Sequence, residues 1–197
     1  MSPAAALGLG VVPDDVAHGL RTFQNSPQQN PARLNVVRLR RPACTVVLDH
    51  AHDAVSFGHL LDFADRLREP GGRLVAVVSA PGDRRDEDLE AIGHLAGTRA
   101  DYVWLCHFPQ TLRGRAAEDM AALFAAGVRA ARGGDDGWAS AGESIHGLRR
   151  AIAAARAKDV VVMTYCKDLG AALDALGVPL EGRWRRLLGR ARSLFRR

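Results

Sequence analysis

Asp49-His50-Ala51-His52-Asp53 places four ionisable side chains among five positions, directly after the apolar run Val46-Val47-Leu48. Two imidazoles spaced H-x-H fall on one side of an extended segment, which suits a divalent metal. The blander reading has His50 and His52 only hydrogen-bonding at the rim of a sheet. The other histidines, His18, His59, His94, His107 and His146, show no ligand spacing. A second group, Ser79-Ala80-Pro81-Gly82-Asp83-Arg84-Arg85-Asp86-Glu87-Asp88, follows another apolar run. Pro-Gly makes a tight turn there and the closing acids suit a helix N-terminus. The adjacent arginines exceed what a helix start requires, and a guanidinium pairs a carboxylate or phosphate in bidentate fashion. A third group is Arg113-Gly114-Arg115, where glycine permits close backbone approach. Together the groups suit an anionic ligand.

These residues need elements to hold them, and the hydrophobic pattern supplies them. Strands are predicted over 34–39, 44–48, 74–78, 102–106 and 160–164, the first two joined as a hairpin through Arg40-Arg41-Pro42. Helices are predicted over 54–68, 86–96, 116–131 and 144–157, with Phe57, Leu60, Leu61, Ala64 and Leu67 on the buried face of the first. Strands separated by helices mean parallel βαβ units, hence a doubly wound, mostly parallel, Rossmann-like α/β sheet. All three groups then lie at the carboxyl ends of strands, where open α/β sheets bind ligands. Ahead of this, Ala4 to Leu9 is weakly helical and Pro13-Asp14-Asp15 opens a clearer helix. The polar, proline-interrupted run from Asn25 to Pro31 reads as a linker.

With 197 residues, 47% hydrophobic and 25% charged, the chain holds one globular domain and a small appendage. No apolar run approaches the length of a membrane span and no leader is evident, so a cytoplasmic protein is expected. Cys44, Cys106 and Cys166 lie far apart in apolar runs and read as reduced core residues. Seven arginines follow Gly182; without them the net charge of +5 becomes −2, so the basic character belongs to the tail. From Trp184, Leu187, Leu188, Ala191, Leu194 and Phe195 recur at helical spacing, giving a basic amphipathic tail. It either packs on the domain or contacts an anionic surface; no specific nucleic acid is expected.

The run from Asn30 to Asn35, then Asp49-His50-Ala51-His52-Asp53, then Pro81-Gly82-Asp83-Arg84-Arg85-Asp86-Glu87-Asp88, then Arg113-Gly114-Arg115, resembles the C-terminal domain of the Mur ligase superfamily. The likeness is strongest to the ligase half of cyanophycin synthetases and spans nearly all of residues 12–170. It implies ATP-dependent amide ligation: ATP phosphorylates a carboxylate, and an amine attacks the acyl phosphate. It further implies that Arg33 contacts ATP phosphate, that Asp49 orients ribose and hinge, and that His52 lies near the nucleotide. Asp83 and Arg84, with Arg85, Arg113 and Arg115, fall where the family receives its amino acid. ATP and Mg2+ are the implied cofactors.

Departures accompany the likeness. His50 stands for the usual aromatic, Asp53 for Asn, Ala54 for Pro and Ala32 for Gly; an acid at 53 would repel phosphates if it faced them. Within these 197 residues there is no G-x-x-x-x-G-K-[ST] phosphate loop, since neither Lys158 nor Lys167 follows a glycine. The expected organisation is a central-domain remnant at 1–30, the ligase C-terminal domain at 31–177 and the tail at 178–197. A separately encoded ATPase domain is the expected partner, and no catalysis is expected from this chain alone. The alternatives are a non-catalytic binding module derived from such a ligase, and a metal-dependent hydrolase using His50 and His52.

Overall fold

Alternating burial in Asn35–Arg38 and the β-branched run of Thr45–Leu48 produce two strands, β1 and β2, paired antiparallel with Val36 opposite Val47. The computed structural model describes residues 2–178. Two helices, α1 (Pro3–Gly8) and α2 (Pro13–Thr22), precede the hairpin. The rest alternates as α3 (Ala54–Leu67), β3 (Leu74–Val78), α4 (Asp86–Arg99), β4 (Tyr102–His107) and α5 (Ala117–Arg132), then β5 (Trp138–Glu143), α6 (Ser144–Ala154), β6 (Val160–Met163) and α7 (Leu169–Ala175). The strand order is β1-β2-β6-β3-β4-β5, and every pairing except β1 with β2 is parallel. The expected doubly wound sheet is therefore present.

Each face of the sheet has its own core. Phe57, Leu60 and Leu61 of α3, Leu89 and Ile92 of α4, and Met120 and Phe124 of α5 pack on one side. Leu148 and Ala151 of α6 and Leu169, Ala172 and Leu173 of α7 cover the other. In α3 the apolar spacing i, i+3, i+4 points three large side chains into the sheet, each contributing about 1.5–3 kcal/mol on burial. On the first face α4 and α5 meet backbone to backbone: a Cβ on Gly127 would collide with the Glu90 carbonyl, and one on Gly93 with the Phe124 carbonyl.

Two elements correct the pattern-based expectation. Strand β5 and helix α7 were not foreseen. β5 is an edge strand, Trp-Ala-Ser-Ala-Gly-Glu, with a register shift against Leu105 and Cys106, and it shows no apolar alternation. Helix α6 also stops at Ala154, short of the expected 157, because the Arg156 N–H turns to the Asp159 carboxylate at 2.8 Å. Asp159, 1% exposed, also accepts from the Arg73 N–H and guanidinium, joining the amino ends of β3 and β6. Before the sheet, α1 and α2 bury no residue, and Leu9, Val12, Leu20 and Phe23 stand exposed. The amphipathic pattern from Trp184 onward lies outside the described residues.

Candidate functional site at the carboxyl edge

Beyond β2 the chain passes to α3 on one face of the sheet; beyond the neighbouring β6 it passes to α7 on the other. Loops that part in this way open a crevice above the strand ends. Asp49 lies at its floor, 9% exposed, and its carboxylate accepts from the Ala51 N–H at 2.7 Å and the Leu34 N–H at 2.8 Å. It thus ties the segment entering β1 to the loop leaving β2. The fully buried Asn35 reinforces the tie, accepting from the Ala32 N–H at 2.7 Å and donating to the Asn30 carbonyl at 2.9 Å. Between them Ala32 (φ 52°) and Leu34 (φ 48°) occupy the left-handed region that non-glycine residues rarely visit. Arg33, bracketed by these two residues, is exposed and makes no ion pair among the described residues.

The loops after β2 and β6 stay joined past their strands. The Tyr165 N–H donates to the Ala51 carbonyl and the Cys166 N–H to the Asp49 carbonyl, both at 2.8 Å. The bonds hold Tyr165 beneath the histidines, its ring centroid 4.9 Å from that of His50 and 6.2 Å from that of His52. His52 directs Nδ1 to the His50 carbonyl at 3.0 Å; since a carbonyl only accepts, Nδ1 carries a hydrogen. The His50 imidazole is held below its ordinary pKa, first by burial and then by the charges of Lys167 and Arg33. Asp53, the acid expected to trouble phosphates, is spent as the N-cap of α3: it accepts from the Ser56 N–H at 2.8 Å in a capping box. That bond holds its carboxyl below the usual range.

The arginine-bearing loops after β3 and β4 form a second group. Ser79 and Thr164 link this group to the first: the Ser79 N–H donates to Thr164 Oγ1 at 2.8 Å and Thr164 Oγ1 donates to the Ser79 carbonyl at 2.9 Å. Arg115 spans the loops, donating to the Gly82 carbonyl at 2.8 Å, the Arg84 carbonyl at 2.9 Å and the Asp86 carboxylate at 2.7 Å. Arg113 pairs with Asp83, and Arg85 pairs with Asp88 at 2.9 Å on the surface. Arg84 alone of these has a buried Nε with no hydrogen-bond partner. The glycines reverse their expected duties. Gly82 is needed because a Cβ would strike the Leu112 carbonyl, whereas Gly114 has open space and is needed for its φ of 91°.

Arg33, Asp49 and His52 thus gather at the β2–β6 crevice, and Asp83, Arg84, Arg113 and Arg115 at the β3–β4 loops, with Arg85 apart. Sequence reasoning missed Tyr165, Lys167 and the Ser79–Thr164 link. No spacing rule marks them, since each depends on which strands become neighbours. His50 and His52 lack a third donor: among the described residues no three or more His, Cys, Asp or Glu side chains converge to hold a metal. Among the described residues no helix is long and apolar enough to cross a membrane.

Residues 32–164 match the family model for the Mur ligase glutamate ligase domain. The chain belongs to the Mur ligase family. This Mur ligase domain is 35% identical over 124 residues to the cyanophycin synthetase of Crocosphaera subtropica, and 32% identical to that of Synechocystis sp., in each case 63% of this chain but 14% of the relative. It therefore spans about one-seventh of the curated relatives. Among solved structures, UDP-N-acetylmuramoyl-L-alanyl-D-glutamate–2,6-diaminopimelate ligase superposes with a TM-score of 0.61 at 18% identity, covering 89% of this chain and 36% of that one. The bifunctional folylpolyglutamate synthase/dihydrofolate synthase of Yersinia pestis, complexed with AMPPNP and Mn ion, gives 0.58 at 18% identity, covering 85% and 35%. At such identities these two structures speak for the fold.

Proposed function

We propose that this Mur ligase domain is the nucleotide-closing, amino-acid-binding lobe of a cyanophycin-synthetase-like ATP-dependent amide ligase. The observation that carries the reading is the tie between Asp49 and Leu34 beside an exposed Arg33. The tie fixes the backbone beside an exposed cation at the point where the chain enters the sheet, at its ligand edge. Lobes of this kind act by closing over a nucleotide held elsewhere, excluding water from an acyl phosphate that would otherwise hydrolyse. In this reading Arg33 and His52 meet ATP, Asp49 holds the hinge, and Arg84 takes the amino acid's carboxylate. Arg113 and Arg115 serve by fixing the loops around Asp83, and Arg85 flanks them. The phosphate loop and the groups that hold Mg2+ come from outside these 197 residues, on a partner domain that the exposed apolar side of α1 and α2 suits. In-line phosphoryl transfer needs those parts, so the chain alone forms no amide.

The test is reconstitution. Purified chain, ATP, Mg2+ and aspartate, arginine or a peptide acceptor should release no phosphate and form no amide. Addition of a phosphate-loop lobe from a cyanophycin synthetase should restore turnover, and Arg33→Ala in this chain should remove it. Robust ligation by the isolated chain, or reconstitution indifferent to Arg33, would overturn the reading.

A further inference from the structure

The β2–β6 crevice holds a second cation that neither the family resemblance nor the motif spacing assigns. Lys167 is one of two lysines in the chain, and its ammonium lies 5.5 Å above the Tyr165 ring. Tyr165 is 3% exposed and sits at φ 47°, a conformation unfavourable for a bulky side chain. The backbone bonds to Ala51 and Asp49 hold it there, its ring centroid 4.9 Å from that of His50, and Lys167 leaves the same turn. Lys167 is exposed and, like Arg33, makes no ion pair among the described residues. Lys167 follows Cys166, whose N–H bonds the Asp49 carbonyl, and Arg33 precedes Leu34, whose N–H bonds the Asp49 carboxylate, so Asp49 ties the segments bearing both cations to one strand end. Two exposed cations on segments held at one strand end repel each other, and an anion between them relieves that repulsion.

Resting on the proposal that ATP is a ligand of this edge, we infer that Lys167 is a further nucleotide-binding residue. Its ammonium and the Arg33 guanidinium are the two arms that hold the phosphates of ATP across the neighbouring His50 and Tyr165 rings. Tyr165 is a positioning residue, supplying the aromatic floor over which Lys167 is held. Lys158, the other lysine, belongs to the opposite end of the sheet, where its N–H donates to the Ala43 carbonyl just ahead of β6. It serves as the internal control.

The experiment is calorimetric titration of the full 197-residue chain at low ionic strength with ATP, inorganic tripolyphosphate and adenosine. Lys167→Gln should weaken ATP and tripolyphosphate by about tenfold, the scale of one charge-assisted phosphate contact. Adenosine should be unaffected, Lys167→Arg should restore most of the loss, and Lys158→Gln should bind as the parent does. Lys167 is on the surface, so an unchanged melting temperature shows that the loss is not unfolding. Equal ATP affinity in Lys167→Gln and the parent, with weakening in Arg33→Gln, would sink the assignment of Lys167 while leaving the function intact. A parent chain that binds neither ATP nor tripolyphosphate at millimolar concentration would remove both.

Discussion

Replacing Asp49 by alanine removes the acceptor shared by two backbone donors. The Ala51 N–H is buried, and an unpaired buried donor costs roughly 1–3 kcal/mol. The Leu34 N–H is only partly buried and recruits water, so its loss is worth about 1 kcal/mol. Asp49→Ala should therefore destabilise the domain by ~2–4 kcal/mol. With a urea m-value of about 2 kcal/mol/M for a domain this size, the unfolding midpoint falls by ~1–2 M with m unchanged. Asp49→Asn retains one acceptor oxygen and turns an amide donor toward the other N–H, so it should land between parent and alanine. Urea titration followed by far-UV circular dichroism reads the midpoint, and amide exchange reads whether Leu34 and Ala51 lose protection together. A midpoint shift below about 0.3 M, against the m-value used above, would show that the carboxylate contributes nothing net. The hinge would then be held by Asn35 alone.

Three further outcomes follow from geometry already described. His50 is shifted below its unfolded value, so the unfolded chain takes up the proton first; its contribution to stability is complete above about pH 6.5 and fades as the pH falls through the lower folded value. Melting temperature measured from pH 8 to pH 5.5 should fall less steeply in His50→Gln, and equal slopes would refute the assignment. Gly82→Ala drives a Cβ against the Leu112 carbonyl and should lower the melting temperature by roughly 5–10 °C, as overpacking of ~2–3 kcal/mol does in a domain this size. An unchanged melting curve would mean that the two loops part freely. Burial pushes the Cys106 and Cys166 thiols up to about 12, so both should resist Ellman's reagent at pH 8 until urea unfolds the chain; rapid labelling of the folded protein at either would contradict their burial.

Much of this was legible because a few residues carried unambiguous signals. The β-branched runs ending in Leu48, Val78 and Met163 announced buried parallel strands, and Asp49 marked the point where one of them meets solvent. Phe57, Leu60, Leu61 and Ala64 are buried as their spacing required, while Leu67, in the last turn of α3, is only partly buried. What escaped was encoded in contacts rather than in composition. β5 is polar and small-residued because an edge strand needs one paired side only. Helix α7 was readable, since Asp168 caps it and Leu169, Ala172 and Leu173 fall on one face, yet its length of seven residues hid it. The duties of Arg113 and Arg115 could not be read, because a guanidinium free for a ligand and one bonded to carbonyls are the same letters. Tyr165 was silent for the same reason: its place under His50 exists only once β6 lies beside β2.

The glycine-lined seam between α4 and α5 has a consequence for selectivity. Both arginine loops are mounted at the near ends of these helices, and the seam is so close that no Cβ fits at Gly93 or Gly127. Arg115 then clamps one loop to the other. The loops after β3 and β4 are therefore held to each other as well as to the two helices. Under the proposed function, an amino acid entering there meets loops that Arg115 already holds together. Under that proposal, re-spacing the two helices through Gly93, Gly97 or Gly127 would reset the spacing of the loops from a distance.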